Sequence, residues 1–126
     1  GSTLGTPYYI SPEQVQADPA DHRTDIYSLG ASFYHMVAGI PPFTGKSSPL
    51  IMAKHLHEMP PDPRSFKPDI DPVLSEILLF MLEKSPDKRP QSIMEVCHRL
   101  ETYQRSLAQQ NYQKQIEEME QIEAQE

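Results

Sequence analysis

The chain has 126 residues, of which 37% are hydrophobic, so it can form one modest domain with a real core. Its formal net charge of −7 argues against nucleic-acid binding, which needs clustered Lys and Arg, and no apolar run approaches the roughly 20 residues that span a bilayer. The single cysteine, Cys97, excludes an internal disulfide framework and favours a reducing, cytoplasmic location.

The pattern of apolar residues and prolines predicts a mainly α-helical chain without strands. Residues 1–13 contain Gly and Pro at intervals that favour an extended loop, and Ser11 followed by Pro12 is a typical helix start. Further helices are predicted, in chain order, over residues 25–39, 49–58 and 72–83, and from about Gln91 onward. Prolines and polar turns separate them.

The predicted helix over residues 25–39 is apolar nearly all round, which is typical of a helix that other helices surround. Gly39 and the following prolines end it. Asp25, its one strong charge, lies in the first turn, where free backbone amides favour a carboxylate. Helical spacing predicts a main apolar stripe of Ile26, Leu29, Phe33, Met36 and Val37, with Tyr27, Ala31, Tyr34 and Ala38 at the sides.

The last helix has an apolar stripe that includes Val96, Cys97, Leu100 and Tyr103, so Cys97 is predicted to be a core residue and not a nucleophile. Residues 104–126 are rich in Gln and Glu, contain no Gly or Pro, and favour continuation of the helix. We interpret them as a solvated helical tail; a short coiled coil or a connection to further regions is the alternative.

Four motifs occur in a fixed order along the chain: Gly5–Glu13 (GTPYYISPE), Asp25–Gly30 (DIYSLG), Pro41–Phe43 and Asp87–Pro90 (DKRP). Together they resemble eukaryotic-type serine/threonine protein kinases, and their bacterial members most of all. The first motif resembles the end of the activation segment and the second the Asp-x-Trp/Tyr-Ser-x-Gly helix. Pro41–Phe43 follows at the expected distance, and the last motif resembles the arginine motif before the final helix. The resemblance implies the C-terminal (large) lobe half of a kinase fold, over residues 1–103, plus an extended C-terminal helix.

The same resemblance implies that the intact kinase uses ATP and Mg²⁺. The chain contains no Gly-rich phosphate loop, no Asp-Phe-Gly and no catalytic loop. We therefore expect a fragment, from the activation segment onward, without catalytic residues, a bound cofactor or activity of its own. A metal site is not expected either, because His55 and His57 point in different directions on a helix.

Site residues follow from the resemblance residue by residue. Thr6 would help to align the substrate hydroxyl, and Leu4, Pro7 and Ile10 would form the pocket for the residue after the phosphorylated Ser or Thr; a turn threonine and ordinary loop packing are the simpler alternatives. Ser2 and Thr3 are candidate phosphosites, since they occupy the activation-loop region.

Four further residues would be structural members of the family motifs. Glu13 and Arg89 would form a buried ion pair, for which two independent surface charges are the alternative. Gly30 belongs to the central-helix motif. Asp25 would accept backbone amides of the catalytic loop in an intact kinase, and without that loop it becomes a helix-capping carboxylate.

The predicted function is therefore substrate docking and scaffolding within an ATP-dependent serine/threonine protein kinase. The alternative is a non-catalytic, kinase-like protein-interaction module. The expected partners are protein substrates and the missing N-terminal part of the kinase. Without that part, apolar side chains around Ile26, Leu29 and Phe33 would be bare, which predicts self-association of the chain.

Overall fold

The computed structural model describes residues 7–125, and within that range it contains helices and turns but no strand. This confirms the predicted helical fold class and its long last helix. Single 3₁₀ turns precede α1, α4 and α5. The helices are α1 (Pro12–Val15), α2 (His22–Ala38), α3 (Ser48–His57), α4 (Pro72–Met81) and α5 (Ile93–Gln125), and the 3₁₀ turns are Pro7–Tyr9, Pro63–Ser65 and Pro86–Lys88.

Side-chain caps begin the first four helices, because Ser and Asp oxygens satisfy amides that a helix start leaves free. Ser11 and Gln14 form a reciprocal capping box at α1. The amide of Gln14 donates to the hydroxyl oxygen of Ser11, and the amide of Ser11 donates to the side-chain oxygen of Gln14. Asp21, Ser47 and Asp71 cap α2, α3 and α4 in the simpler way. Three of these helices have Pro at the first or second position, where a backbone amide would have no partner within the helix and its absence costs nothing.

Helix α2 lies at the centre of the fold and packs mainly on α4. Its most buried face consists of Tyr27, Ala31, Tyr34 and Ala38, which join Leu82 in one core cluster. The predicted main stripe is wrong in part, since Met36 is 77% exposed. Met36 lies half a turn away from Tyr27 around the helix axis, so a helix whose whole surface is apolar still exposes one side.

Gly30 marks the point where α2 comes closest to α4. A Cβ atom added at Gly30 would lie 2.6 Å from the Cβ of Met81, far inside van der Waals contact. The backbones can approach this closely only because Gly30 has no side chain. Tight contact between the two helices therefore depends on a glycine that the sequence identified only as part of a motif.

A second core cluster joins α2, α4 and α5 through Ile26, Ile77, Met81 and Val96. Ile26 is 2% exposed, and Leu29 and Phe33 are half-buried, so the predicted bare patch is wrong for Ile26. Cys97 is exposed, which corrects its predicted place in the core. The reason is geometric: the neighbouring Val96 takes the inward position, and the next residue of a helix points about 100° away.

Helix α5 packs on α4 with its first half and continues as a mostly exposed helix to Gln125. Half-buried residues recur at Leu100, Tyr103 and Leu107, after which exposed residues dominate. This agrees with the predicted helical tail. Among residues 7–125, no helix combines the length and apolar character needed to cross a membrane.

Candidate functional site

The segment from Pro7 to Val15 lies against the middle of the helical fold, because its 3₁₀ turn packs on α2 and α3. Pro7 is buried and Ile10 is half-buried, so the ring of Pro7 fixes the segment while Ile10 keeps a partly free surface. The other residues predicted to position substrate, or to be phosphorylated, lie outside the described residues: Ser2, Thr3, Leu4 and Thr6.

An ion pair holds this segment to the turn before α5. Nη1 and Nη2 of Arg89 donate to Oε2 and Oε1 of Glu13 at 2.7 and 2.8 Å, so the contact is bidentate. Arg89 is 1% exposed and Glu13 is buried beside it. The structure thus brings together two residues that are 76 positions apart in sequence, and a planar guanidinium matches the two carboxylate oxygens.

The remaining hydrogen-bonding capacity of this ion pair is also used. Arg89 donates to the backbone carbonyls of Glu83, Lys84 and Arg23, and Thr24 donates its hydroxyl to Glu13 at 2.7 Å. The guanidinium also lies 4.9 Å from the ring centroid of Tyr27. One side chain therefore ties α1, α2 and the end of α4 together at a single buried point.

The protonation of Glu13 reflects this surrounding. Burial by itself would raise its pKa, but the hydrogen bonds from Arg89 and Thr24 outweigh burial and lower the pKa to about 2. Glu13 is therefore a carboxylate at neutral pH, with both oxygens occupied by donors. It is an anchor, since its carboxylate is buried and both oxygens accept hydrogen bonds from Arg89.

Asp25 does not cap α2, which corrects that prediction. The helix begins at His22, three residues earlier than predicted, and Asp21 accepts the amide of Arg23 at 2.8 Å. Asp25 is exposed in the first turn, where its charge still suits the helix dipole. Arg23 reinforces this end of the helix through ion pairs with Asp21 and Asp87 on the surface.

His55 lies on α3, the helix that packs against the Pro7–Tyr9 turn, and no sequence motif indicates this position. It is fully buried on α3, packs edge-on against Phe43, and bonds Tyr27 Oη through Nδ1 at 2.7 Å. The backbone of Pro7 and Tyr8 lies near the His55 ring, and Nε2 has no hydrogen-bond partner among the described residues. A histidine on a partly apolar helix was the only sequence signal, and it is too general to indicate this contact.

We predict that stability falls as pH drops from about 6.5 to about 4, because of His55. Burial and the nearby charge of Lys84 lower the pKa of His55 from 6.5 to about 4. Between these values the unfolded chain binds a proton that the folded chain excludes, so acid favours unfolding. Urea denaturation across this pH range measures the effect.

The variant His55→Asn should flatten this dependence, whereas His57→Asn should keep it, since His57 is exposed at the end of the same helix. An unchanged slope in His55→Asn would contradict the assignment. Glu13 adds to the pH dependence only at the acid end of this range, because its stabilising contribution is lost as pH falls from 4.5 towards 2.

The site can hold the Pro7–Val15 segment in place, and its chemistry is that of an anchor. Its charged groups are consumed by one another, and the described residues include no group of three or more His, Cys, Asp or Glu side chains placed to hold a metal ion. The arrangement thus fixes the path of Pro7–Val15 and leaves the outer side of that segment for contacts.

Comparison with known proteins gives a consistent assignment. The family model for the protein kinase domain matches residues 1–122. The DNA damage-responsive serine/threonine-protein kinase RqkA of Deinococcus radiodurans is 42% identical over 98 residues, which is 78% of this chain and 15% of the relative. Serine/threonine-protein kinase pkn3 of Myxococcus xanthus is 40% identical over 94 residues, 73% of this chain and 17% of the relative.

A third relative, serine/threonine-protein kinase PknB of Mycolicibacterium smegmatis, is 38% identical over 95 residues, which is 75% of this chain. The matched region amounts to about 15% of the length of these relatives. The matched residues include the Pro7–Val15 segment, α2 and the Arg89 turn described above. The chain therefore belongs to the protein kinase domain family and is similar to its bacterial serine/threonine members.

Proposed function

We propose that this chain provides the substrate-docking and scaffold part of an ATP-dependent serine/threonine protein kinase. The observation that carries the proposal is the buried, fully bonded pair of Glu13 and Arg89, which fixes the end of the predicted activation segment on the helical fold. Docking of a protein substrate requires such a fixed surface, because productive phosphoryl transfer depends mainly on positioning.

Within this proposal, residues 1–103 form the kinase part and residues 104–126 form the tail. Pro7 and Ile10, with Leu4, line the pocket for the residue that follows the phosphorylated Ser or Thr. Thr6 aligns the substrate hydroxyl. His55 is a positioning residue, since it supports Pro7 and Tyr8 from α3 and reaches no substrate itself.

ATP and Mg²⁺ belong to the intact kinase in this proposal, and residues that would bind them are to be supplied by a further part of the kinase. A phosphate on Ser2 or Thr3 would add about 1.5 to 2 negative charges, which basic residues of that further part could bind. The chain alone is proposed to be inactive. Its single cysteine supports a reducing, cytoplasmic setting.

A chimeric kinase tests the proposed function. If residues 1–122 replace the matching region of the Deinococcus radiodurans relative, we expect ATP-dependent phosphorylation of a Ser/Thr substrate. Arg89→Ala in the chimera should lower that activity strongly, because the docking segment loses its anchor, whereas Arg105→Ala on the exposed tail should not. The unfused chain, assayed in parallel with Mg-ATP, should show neither nucleotide binding nor phosphoryl transfer.

A chimera that is folded and binds ATP but phosphorylates nothing would overturn the proposal. Micromolar binding of Mg-ATP by the unfused chain would contradict the proposal that the chain alone has no nucleotide site. That result would require a nucleotide site within these 126 residues.

The alternative, a non-catalytic interaction module, is favoured by one specific observation. Tyr112, Met119 and Ile122 are exposed on the second half of α5. Exposed apolar residues at helical spacing are typical of helices that bind another chain. Self-association through this tail, or through the side of α2 that exposes Met36, remains part of this alternative.

A further inference from the structure

A groove runs between α4 and the middle of α5, and its lining includes no residue of the Pro7–Val15 segment. Its volume is about 970 Å³. The floor is apolar and is formed by Ile77, Phe80, Tyr103 and Leu107, while Val73 at one end is 45% exposed. An apolar floor of this size, open to solvent along its length, is a typical site for the apolar face of another helix.

The rim of the groove is acidic. Asp71, Glu76, Glu83 and Glu95 lie along it, against one guanidinium, that of Arg99. Arg99 is already engaged, since it lies 4.5 Å from the ring centroid of Phe80 and 3.8 Å from a carboxylate oxygen of Glu95. The other three carboxylates have no ion-pair partner in the part of the chain that the structure describes.

We propose that this groove binds a basic amphipathic helix of a partner protein. From Glu95 to Gln110 the groove follows α5 for about 22 Å, which is room for roughly four helical turns of a ligand. Leucine-type side chains on one face of that helix would cover the floor. Lysine or arginine on its flanks would pair with Glu76, Glu83 and the Asp71 oxygen that does not cap α4, and would set its orientation.

Charge argues for a basic partner and against a second copy of this chain as the occupant. The tail offers an apolar stripe, but residues 112–125 carry four Glu and a single Lys, so a second copy would bring like charge to the acidic rim. The groove is also separate from the proposed substrate-docking segment, Pro7–Val15. The groove is lined by α4 and α5, whereas the Pro7–Tyr9 turn packs on α2 and α3. The inference therefore goes beyond the proposed substrate docking.

Fluorescence anisotropy with a labelled helical peptide tests the proposal. The probe has about 16 residues, with leucines spaced three and four apart and lysines on both flanks. We expect saturable one-to-one binding to the full chain that weakens as NaCl is added. A peptide with the same leucines and glutamates in place of the lysines should bind far more weakly.

Two matched pairs of variants locate the binding. Glu76→Lys with Glu83→Lys should weaken binding roughly tenfold, because each reversal replaces an attraction by a repulsion. Glu117→Lys with Glu118→Lys makes the same charge change on the tail and should leave the affinity nearly unchanged. For the apolar floor, Leu107→Ala should weaken binding, whereas Ile122→Ala on the tail should leave the affinity nearly unchanged.

Circular dichroism checks that each variant keeps its helices, so that a lost affinity reports on binding. Equal losses in the groove and tail variants would overturn the proposal, since binding would then follow net charge alone. Absence of saturable binding would overturn it too. So would a dimer of this chain, detected by sedimentation, that the groove variants abolish, because the occupant would then be a second copy.

Discussion

Replacing Arg89 by alanine should lower the free energy of unfolding by about 3 to 5 kcal/mol, because it leaves the buried carboxylate of Glu13 without its partner. Within residues 7–125, Thr24 would be the only other side chain bonded to that carboxylate. The three backbone carbonyls that Arg89 now bonds would lose a donor as well. Urea denaturation at neutral pH, followed by circular dichroism, measures the loss.

Arg105→Ala is the matched control, since Arg105 is exposed on α5 and pairs with Glu101 at 3.6 Å in water. Its expected cost is below about 1 kcal/mol. The wild-type chain should also lose the contribution of Glu13 as pH falls from 4.5 towards 2, because acid protonates a group whose folded pKa is lowered. Equal costs for the two arginine variants would contradict the role of Arg89.

Replacing Gly30 by alanine should destabilise the fold by about 1 to 3 kcal/mol, although alanine is the better helix former. The new methyl group would lie 2.6 Å from Met81 Cβ, so α2 and α4 would have to move apart. That movement would loosen both core clusters, since α2 contributes to each of them. Thermal unfolding followed by circular dichroism gives the change.

Met36→Ala serves as the control, because Met36 is on the same helix and largely exposed. It should change stability by at most about 0.5 kcal/mol. A Gly30→Ala variant that is more stable than the wild type would show that the two helices separate without cost. The tight crossing would then not limit stability.

Local signals in the sequence were sufficient for the helices and their ends. Ser11 and Pro12 marked the start of α1 correctly, since a cap acts on amides only two or three residues away. The long last helix was also predictable from local sequence, because residues 104–125 contain no Gly or Pro to end it. The start of α2 was the exception, where Asp21 caps the helix in place of Asp25.

Pairing over long distances was predictable in one case only. The contact between Glu13 and Arg89 was expected because both belong to motifs of a known family, and no local rule joins residues 76 positions apart. The composition of a helix likewise does not say which side its neighbours cover. For Cys97 and Met36 the predicted burial was therefore wrong.

The sequence by itself determined which segments are helical, where most of them start, and which family the motifs resemble. The tertiary structure decided which face of α2 is buried, that His55 is fully buried against Tyr27, and that α4 and α5 leave an acidic groove between them. Helix formation depends on neighbours within about four residues, so a pattern can show it. Burial, pKa shifts and grooves depend on which distant side chains meet, and only packing fixes that.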